Sequence, residues 1–243
     1  MGVRLERCVE NRTLLRSRKR TMSHGIHDVR FGKTVPLHHR LLDWLVSKGE
    51  TASSVLVYTS AYLAIIAMLQ VAIVMEILSL SLSPAPFVVG LVTFAVYASD
   101  RISDLDTDEV TAPERTAFVR RHRTKLSVGS AVAYGVAVML AVLGGPLALG
   151  LTLFPGAIWI LYASDWLSQV GLFIRRLKEV FLVNTAVVAL AWAVTLTFMP
   201  LSYETVPVDG TIAIIFTYFF LVTVVTTEIP NVRDIAADRD IGV

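Results

Sequence analysis

The chain reads as an all-α integral membrane protein, an antiparallel bundle of transmembrane helices. Three observations predict this. Hydrophobic residues make up 54% of the 243 residues and mean hydropathy is +0.63, far from the balance of a water-soluble domain. Apolar runs recur along the sequence, each near the roughly 20 residues that a helix needs to cross hydrocarbon. Basic residues fall only before the first run, after the second, after the fourth and after the sixth.

Six runs are read as spans: 53–77, 84–100, 126–144, 146–164, 180–199 and 211–228. Residues 1–50 precede them as a basic tail, and residues 51–243 form one membrane domain with no room for a second soluble one. The tail carries eleven of the 22 Lys and Arg residues, with His24, His27, His38 and His39 scattered through it. A solvated tail accounts for these histidines better than a metal site does. From Leu37 to Val46 the pattern is mildly amphipathic and includes Trp44, which suits the membrane interface. Met22 offers an alternative start, with residues 1–21 then outside the native chain.

The first span carries Glu76 near its outer end, where a charge reaches water. The second is short and opens at Pro84 and Pro86. Gly144-Gly145-Pro146 is a tight turn between the third and fourth spans. The fourth and fifth are joined by 164–179, which ends Arg175-Arg176-Leu177-Lys178-Glu179. The loop 200–210 before the sixth has only Glu204 and Asp209 as charges. Tyr97-Ala98-Ser99-Asp100 recurs as Tyr162-Ala163-Ser164-Asp165, an echo compatible with a repeated helix-pair plan.

Charge fixes the expected topology. Eleven Lys and Arg lie in 1–50, six in 100–125, three in 175–178, and the last two are Arg233 and Arg239; loops 78–86, 144–146 and 200–210 hold none. With six spans all of them fall on one side, which the positive-inside rule makes cytoplasmic. The expectation is a multi-pass protein of the cell membrane with both ends of this chain in the cytoplasm. The pI near 8.8 reflects that one basic face and gives no reason to invoke nucleic acid. Cys8 is the sole cysteine, so no disulfide framework and no thiolate metal site is expected.

Two aspartate ladders carry the chemistry. The first runs Asp100-Arg101-Ile102-Ser103-Asp104-Leu105-Asp106-Thr107-Asp108, the second Asn231-Val232-Arg233-Asp234-Ile235-Ala236-Ala237-Asp238. Spacing of four residues puts Asp100, Asp104 and Asp108 on one helical face, and Asp234 with Asp238 on another. Like charges so spaced repel, and the cost is met when cations bridge them. Mg²⁺ takes a carboxylate or two together with substrate phosphates, so two facing ladders at a membrane surface make a Mg²⁺–diphosphate site. An allylic diphosphate ionises once its leaving group is neutralised, and the carbocation then needs a dry, aromatic-lined pocket. Phe94, Tyr97, Trp159, Tyr162, Trp192 and Tyr218 lie in spans and are candidates for it, although for any one of them packing or lipid contact is the commoner role.

On these ladders the chain resembles the UbiA superfamily of intramembrane prenyltransferases. That family's first motif, Asn-Asp-x-x-Asp-x-x-x-Asp after the second span, matches Asp104 and Asp108. Asp100 stands in the place of its Asn and Arg101 in the place of its first Asp. The continuation Asn-x-Pro-x-Arg is met by Thr111-Ala112-Pro113-Glu114-Arg115, with Thr in place of Asn. The usual Pro and Gly beyond it are absent from Thr116-Ala117-Phe118-Val119. The second motif, Asp-x-x-x-Asp after the sixth span, is matched by Asp234 and Asp238.

The resemblance implies an enzyme that transfers a prenyl group from an isoprenoid diphosphate to a lipophilic acceptor within the bilayer, with Mg²⁺ as cofactor. It implies Asp104, Asp108, Asp234 and Asp238 as catalytic residues and metal ligands, with Asp100 as an auxiliary ligand. Diphosphate contacts are expected from Arg115, Lys178, Arg233 and Asn231. The family fold has about nine spans, so the resemblance further implies three helices beyond Val243 and weak transfer by the 243-residue chain. Two other readings stay open: an inactive remnant of such an enzyme, and a membrane transporter with a carboxylate cation site, for which Glu76 is the best support.

Overall fold

The computed structural model describes residues 52–106, 108–163, 181–204 and 206–241, with the backbone alone at 110, 162–163, 181–184 and 230–241. Among the described residues the structure is entirely helical, without strands. The helices are Ala52–Tyr58 (α1), Ala61–Ile77 (α2), Ala85–Ser103 (α3), Asp108–Thr111 (α4), Pro113–Val142 (α5), Gly145–Ala163 (α6), Phe181–Leu201 (α7) and Gly210–Ile241 (α8). The basic tail lies outside the described residues.

Among the described residues three helices are long and apolar enough to cross a membrane: α3, α5 and the Gly210–Ile229 part of α8. The bent pair α1–α2 makes a fourth if it counts as one span, and Gly145–Leu161 and Thr185–Leu201 are shorter apolar helices. Their outer faces are strongly apolar. Leu69, Ile73 and Ile77 on α2 and Val128, Val132 and Val136 on α5 recur every fourth residue and are exposed. Water would penalise so continuous an apolar surface, whereas lipid would not. The hydroxyls of Thr93, Thr152 and Thr195 bond back to the carbonyls of Val89, Ala148 and Ala191 at 2.7–2.8 Å. Such back-bonding lets a polar side chain sit in an apolar helix without an unmet donor.

α3 is the organising element. It packs against α2, α5, α6 and α7, while α8 packs on α7. Its Val88, Val89 and Val92 are fully buried, in one cluster with Val71 and Val74 of α2, Ala137 and Ala141 of α5, Ala148 of α6, and Trp192 and Met199 of α7. Small residues allow these close crossings, since packing rather than hydrophobic transfer holds helices together in lipid. At Gly90 a Cβ would meet the Met68 side chain and stand 3.2 Å from the Ala64 carbonyl, so a bulky residue there would push α2 away. Gly145, at φ +77°, makes the turn between α5 and α6 that Gly144-Gly145-Pro146 predicts.

Two features depart from the simple expectation. The run 53–77 is not one straight helix: α1 and α2 meet at 80°. Ser60 is left-handed there (φ 59°, ψ 16°), a conformation that costs a non-glycine residue roughly 1–2 kcal/mol. The charged segment 101–125 is mostly helix, because α5 begins at Pro113, well before the apolar run. Pro at the first helical turn and Glu114 behind it favour that start. Val119 and Leu126, two turns apart, then bury against Leu105, with Ile102 and Phe118 beside them.

Candidate functional site: the carboxylate ladder at the end of α3

α3 ends where its apolar sequence ends. Asp104 caps it, and its amide donates to the Asp100 carbonyl at 3.0 Å. The same four-residue closure repeats through the break. The Asp108 amide donates to Asp104 at 2.9 Å, Ala112 to Asp108 at 2.9 Å, and Thr116 to Ala112 at 3.0 Å. The ladder therefore keeps its one-turn register from α3 through α4 to the start of α5, although no single helix spans it.

Asp100, Asp104 and Asp108 are partly buried, whereas Asp106 is fully exposed. Burial pushes the Asp104 carboxyl up to about 6, the neighbouring Asp100 and Asp108 carboxylates add to this, and Arg101 opposes it. Asp108 is gripped by two guanidiniums on one oxygen. Arg115 Nη2 lies 2.8 Å and Arg101 Nη1 3.5 Å from its Oδ2. Arg101 also donates from Nε to Ser60 Oγ at 3.4 Å, which ties the ladder to the bend between α1 and α2. Arg115 Nε is buried without an acceptor among the described residues. Further out, Arg120 makes a two-pronged bond to Glu109 (3.2 and 3.0 Å) that holds the Glu109 carboxyl below its usual range. That pair is exposed, where ion pairs contribute little.

A cavity of about 490 Å³ lies between α3, α5 and α6, walled by Ala95, Ser99, Ser130, Tyr134, Gly156 and Trp159 among others. Its wall is mostly apolar and its polar groups are largely committed. Ser130 Oγ donates to the Ala95 carbonyl at 2.8 Å, so Ser99 Oγ, 2.8 Å away, donates to Ser130. Tyr134 donates to the Thr152 carbonyl at 3.3 Å. The Trp159 indole lies beside Asp100, with its Nε1 buried. The cavity thus reaches the ladder at Ser99 and Trp159.

Comparison with protein-family models, with curated proteins and with solved structures finds no match.

The residues picked out in the sequence fall into three groups. Asp100, Asp104, Asp108 and Arg115 come together at the end of α3, although among the described residues no three carboxylate, imidazole or thiol groups converge as a ready metal cluster. Asn231, Arg233, Asp234 and Asp238 lie in the last turns of α8, their side chains outside the described residues. Lys178, Arg175, Arg176 and Asp165 lie wholly outside them, as do the tail histidines. Of the candidate aromatics, Trp159 lines the cavity. Tyr97 and Trp192 instead stack on each other, 5.7 Å between rings and 14° from parallel, and Tyr218 is exposed. Glu76 is exposed on α2. The sequence reading assigns Arg101 no part in the site. The signal for it is spacing: Arg101 and Arg115 stand seven residues before and seven after Asp108, two helical turns each way.

The donor set fits a divalent cation. It is made of carboxylate oxygens without thiol or imidazole, as hard cations prefer. Burial raises Asp104 most, and the repulsion that Asp100 and Asp108 add is one that a bound cation would relieve.

Proposed function

We propose that this chain is a Mg²⁺-dependent intramembrane prenyltransferase, which moves a prenyl group from an isoprenoid diphosphate to a lipophilic acceptor. One observation carries the reading: three aspartates in one-turn register, with arginines beside them, stand next to an apolar-walled cavity that reaches Asp100 through Trp159. The resemblance of both ladders to the UbiA superfamily supports it. In this reading the chain crosses the cell membrane six times as an antiparallel bundle, with both of its ends and both ladders at the cytoplasmic face. The one-sided placement of Lys and Arg supports that arrangement.

A bound Mg²⁺ would supply Lewis-acid neutralisation of the leaving diphosphate. Asp100, Asp104 and Asp108 would hold it from this side, and Asp234 and Asp238 from the other. Arg115 takes charge on the phosphate oxygens through bidentate bonds, which its planar fork suits. Arg233 and Asn231 of the second ladder, and Lys178 ahead of the fifth span, are assigned the same task. The allylic C–O bond breaks with its electron pair leaving on the diphosphate, and the acceptor's nucleophilic atom forms the new bond to carbon and then gives up a proton. In this reading the apolar wall limits water at the carbocation, and Trp159 and Tyr134 are the aromatic side chains that line it.

The test is donor binding to the purified chain in lipid nanodiscs, with radiolabelled farnesyl and geranylgeranyl diphosphate. Saturable binding that needs Mg²⁺ and is lost in Asp104→Asn is expected. Retention that is indifferent to a chelator, or no retention of either donor, would sink the reading.

A further inference from the structure

Asp108 has a task besides metal ligation. We infer that its carboxylate occupies the phosphate position on the Arg101–Arg115 guanidinium pair, and that the diphosphate must displace it to bind. This deepens the prenyltransferase reading and rests on it.

The geometry is that of an internal stand-in. Two guanidiniums converge on a single carboxylate oxygen, Asp108 Oδ2, at 2.8 and 3.5 Å. Two arginines carry ten N–H donors between them. Arg101 Nη1 and Arg115 Nη2 form ion pairs with Asp108, Arg101 Nε donates to Ser60, and Arg115 Nε is buried with no hydrogen-bond acceptor among the described residues. A lone carboxylate cannot use so many donors, whereas a phosphate, with three oxygens and more charge, can. All three side chains are only about a quarter exposed or less, so the triad is half-desolvated and its pairing is worth more than a surface contact. The chain has also built this pair where a plain metal-binding ladder would not need it, since Arg101 sits inside the ladder, between Asp100 and Asp104.

Two consequences follow. A diphosphate that takes the guanidiniums frees Asp108, and a cation that takes Asp108 frees the guanidiniums. Each ligand then strengthens the other, and by linkage the coupling is the same in both directions. The stand-in also lowers affinity for a diphosphate that arrives without its cation. Removing the Asp108 charge should therefore strengthen metal-free binding, which is the opposite of what loss of a mere metal ligand does.

The experiment is titration calorimetry of inorganic pyrophosphate into the full chain in nanodiscs, in EDTA and in Mg²⁺. Wild type is expected to bind weakly in EDTA and much more tightly in Mg²⁺. Asp108→Asn should bind pyrophosphate about tenfold more tightly than wild type in EDTA, the factor that corresponds to about 1.4 kcal/mol, and should gain less from Mg²⁺. Arg101→Gln should weaken binding in both media, and Arg101→Lys, which keeps the charge without the fork, should fall between. Arg120→Gln, which removes an equal charge from an exposed pair, should match wild type. Thermal unfolding of each variant separates lost binding from lost fold, and the two Arg101 variants carry the test if Asp108→Asn does not fold. Metal-free binding by Asp108→Asn no tighter than wild type, or an Arg101→Gln protein that binds as wild type does, overturns the stand-in while leaving the prenyltransferase reading intact. No pyrophosphate binding by wild type even in Mg²⁺ overturns both.

Discussion

Arg115 and Asp108 are seven residues apart in the chain and meet at 2.8 Å, Nη2 to Oδ2. The pair bridges α4 and the first turn of α5 across Pro113, and so fixes how the charged segment folds back against the end of α3. With Arg101 on the same oxygen, it places two guanidiniums on the Asp108 carboxylate.

Arg115→Gln is therefore expected to lower stability by about 1–2 kcal/mol, the range for a partly buried charged hydrogen bond that leaves its partner behind. Thermal unfolding in detergent reads this as a drop of a few degrees. Arg120→Gln should leave the midpoint unchanged, because its ion pair is exposed. Equal midpoints for both variants would count against a structural role for the Arg115–Asp108 contact.

Asp104→Asn and Asp234→Asn are each expected to abolish Mg²⁺-dependent prenyl transfer while membrane insertion stays intact. Diphosphate release measured over a panel of isoprenoid donors and acceptors checks it. Activity retained in both variants would end the two-ladder mechanism.

The raised Asp104 carboxyl sets a pH dependence with a definite sign. An ordinary aspartate titrates near pH 4, and Asp104 in the fold at about 6. Between those values the folded chain binds more protons than the unfolded one, so stability without metal should fall as pH rises from about 4 to about 6 and then level off. Asp104→Asn should flatten that part of the curve. Mg²⁺ competes with the same proton, so its affinity should rise across the same window. A metal-free unfolding midpoint that climbs with pH in wild type but not in the variant would contradict the assignment.

Reporter fusions after residues 82, 145 and 205 should report the outside of the membrane, and a fusion after residue 110 the cytoplasm. An outside signal at 110 would place the first ladder on the wrong face and remove the basis for a cytoplasmic diphosphate site.

Ser130→Ala is expected to cost about 1 kcal/mol, the worth of an interhelical hydrogen bond in an apolar setting. It removes the bond to Ala95 and leaves the Ser99 hydroxyl without its acceptor. Reversible unfolding in mixed micelles measures it, and a neutral result would mean that water already fills the polar corner of the cavity.

Helices were legible in the sequence because their cause is local. Each apolar run coincides with a helix or a bent pair, since a backbone in an apolar setting must satisfy its own hydrogen bonds. The glycine turn at Gly144-Gly145 and the four-residue register of Asp100, Asp104 and Asp108 follow from the same local rules. What the sequence could not fix was every relationship that needs two distant segments to meet. The bend at Ser60 has no proline to announce it and is met by Arg101 from another helix. The helical extension of α5 depends on Leu105 covering Val119 and Leu126. Trp159 lines the cavity while Tyr97 and Trp192 stack on each other, although all three are aromatics in apolar helices. The chain by itself determined where helices form and which carboxylates share a face, because dihedral preference and helical period act over a few residues. Only the tertiary structure decided that Asp108 is held by two arginines, because that depends on how α3, α4 and α5 pack.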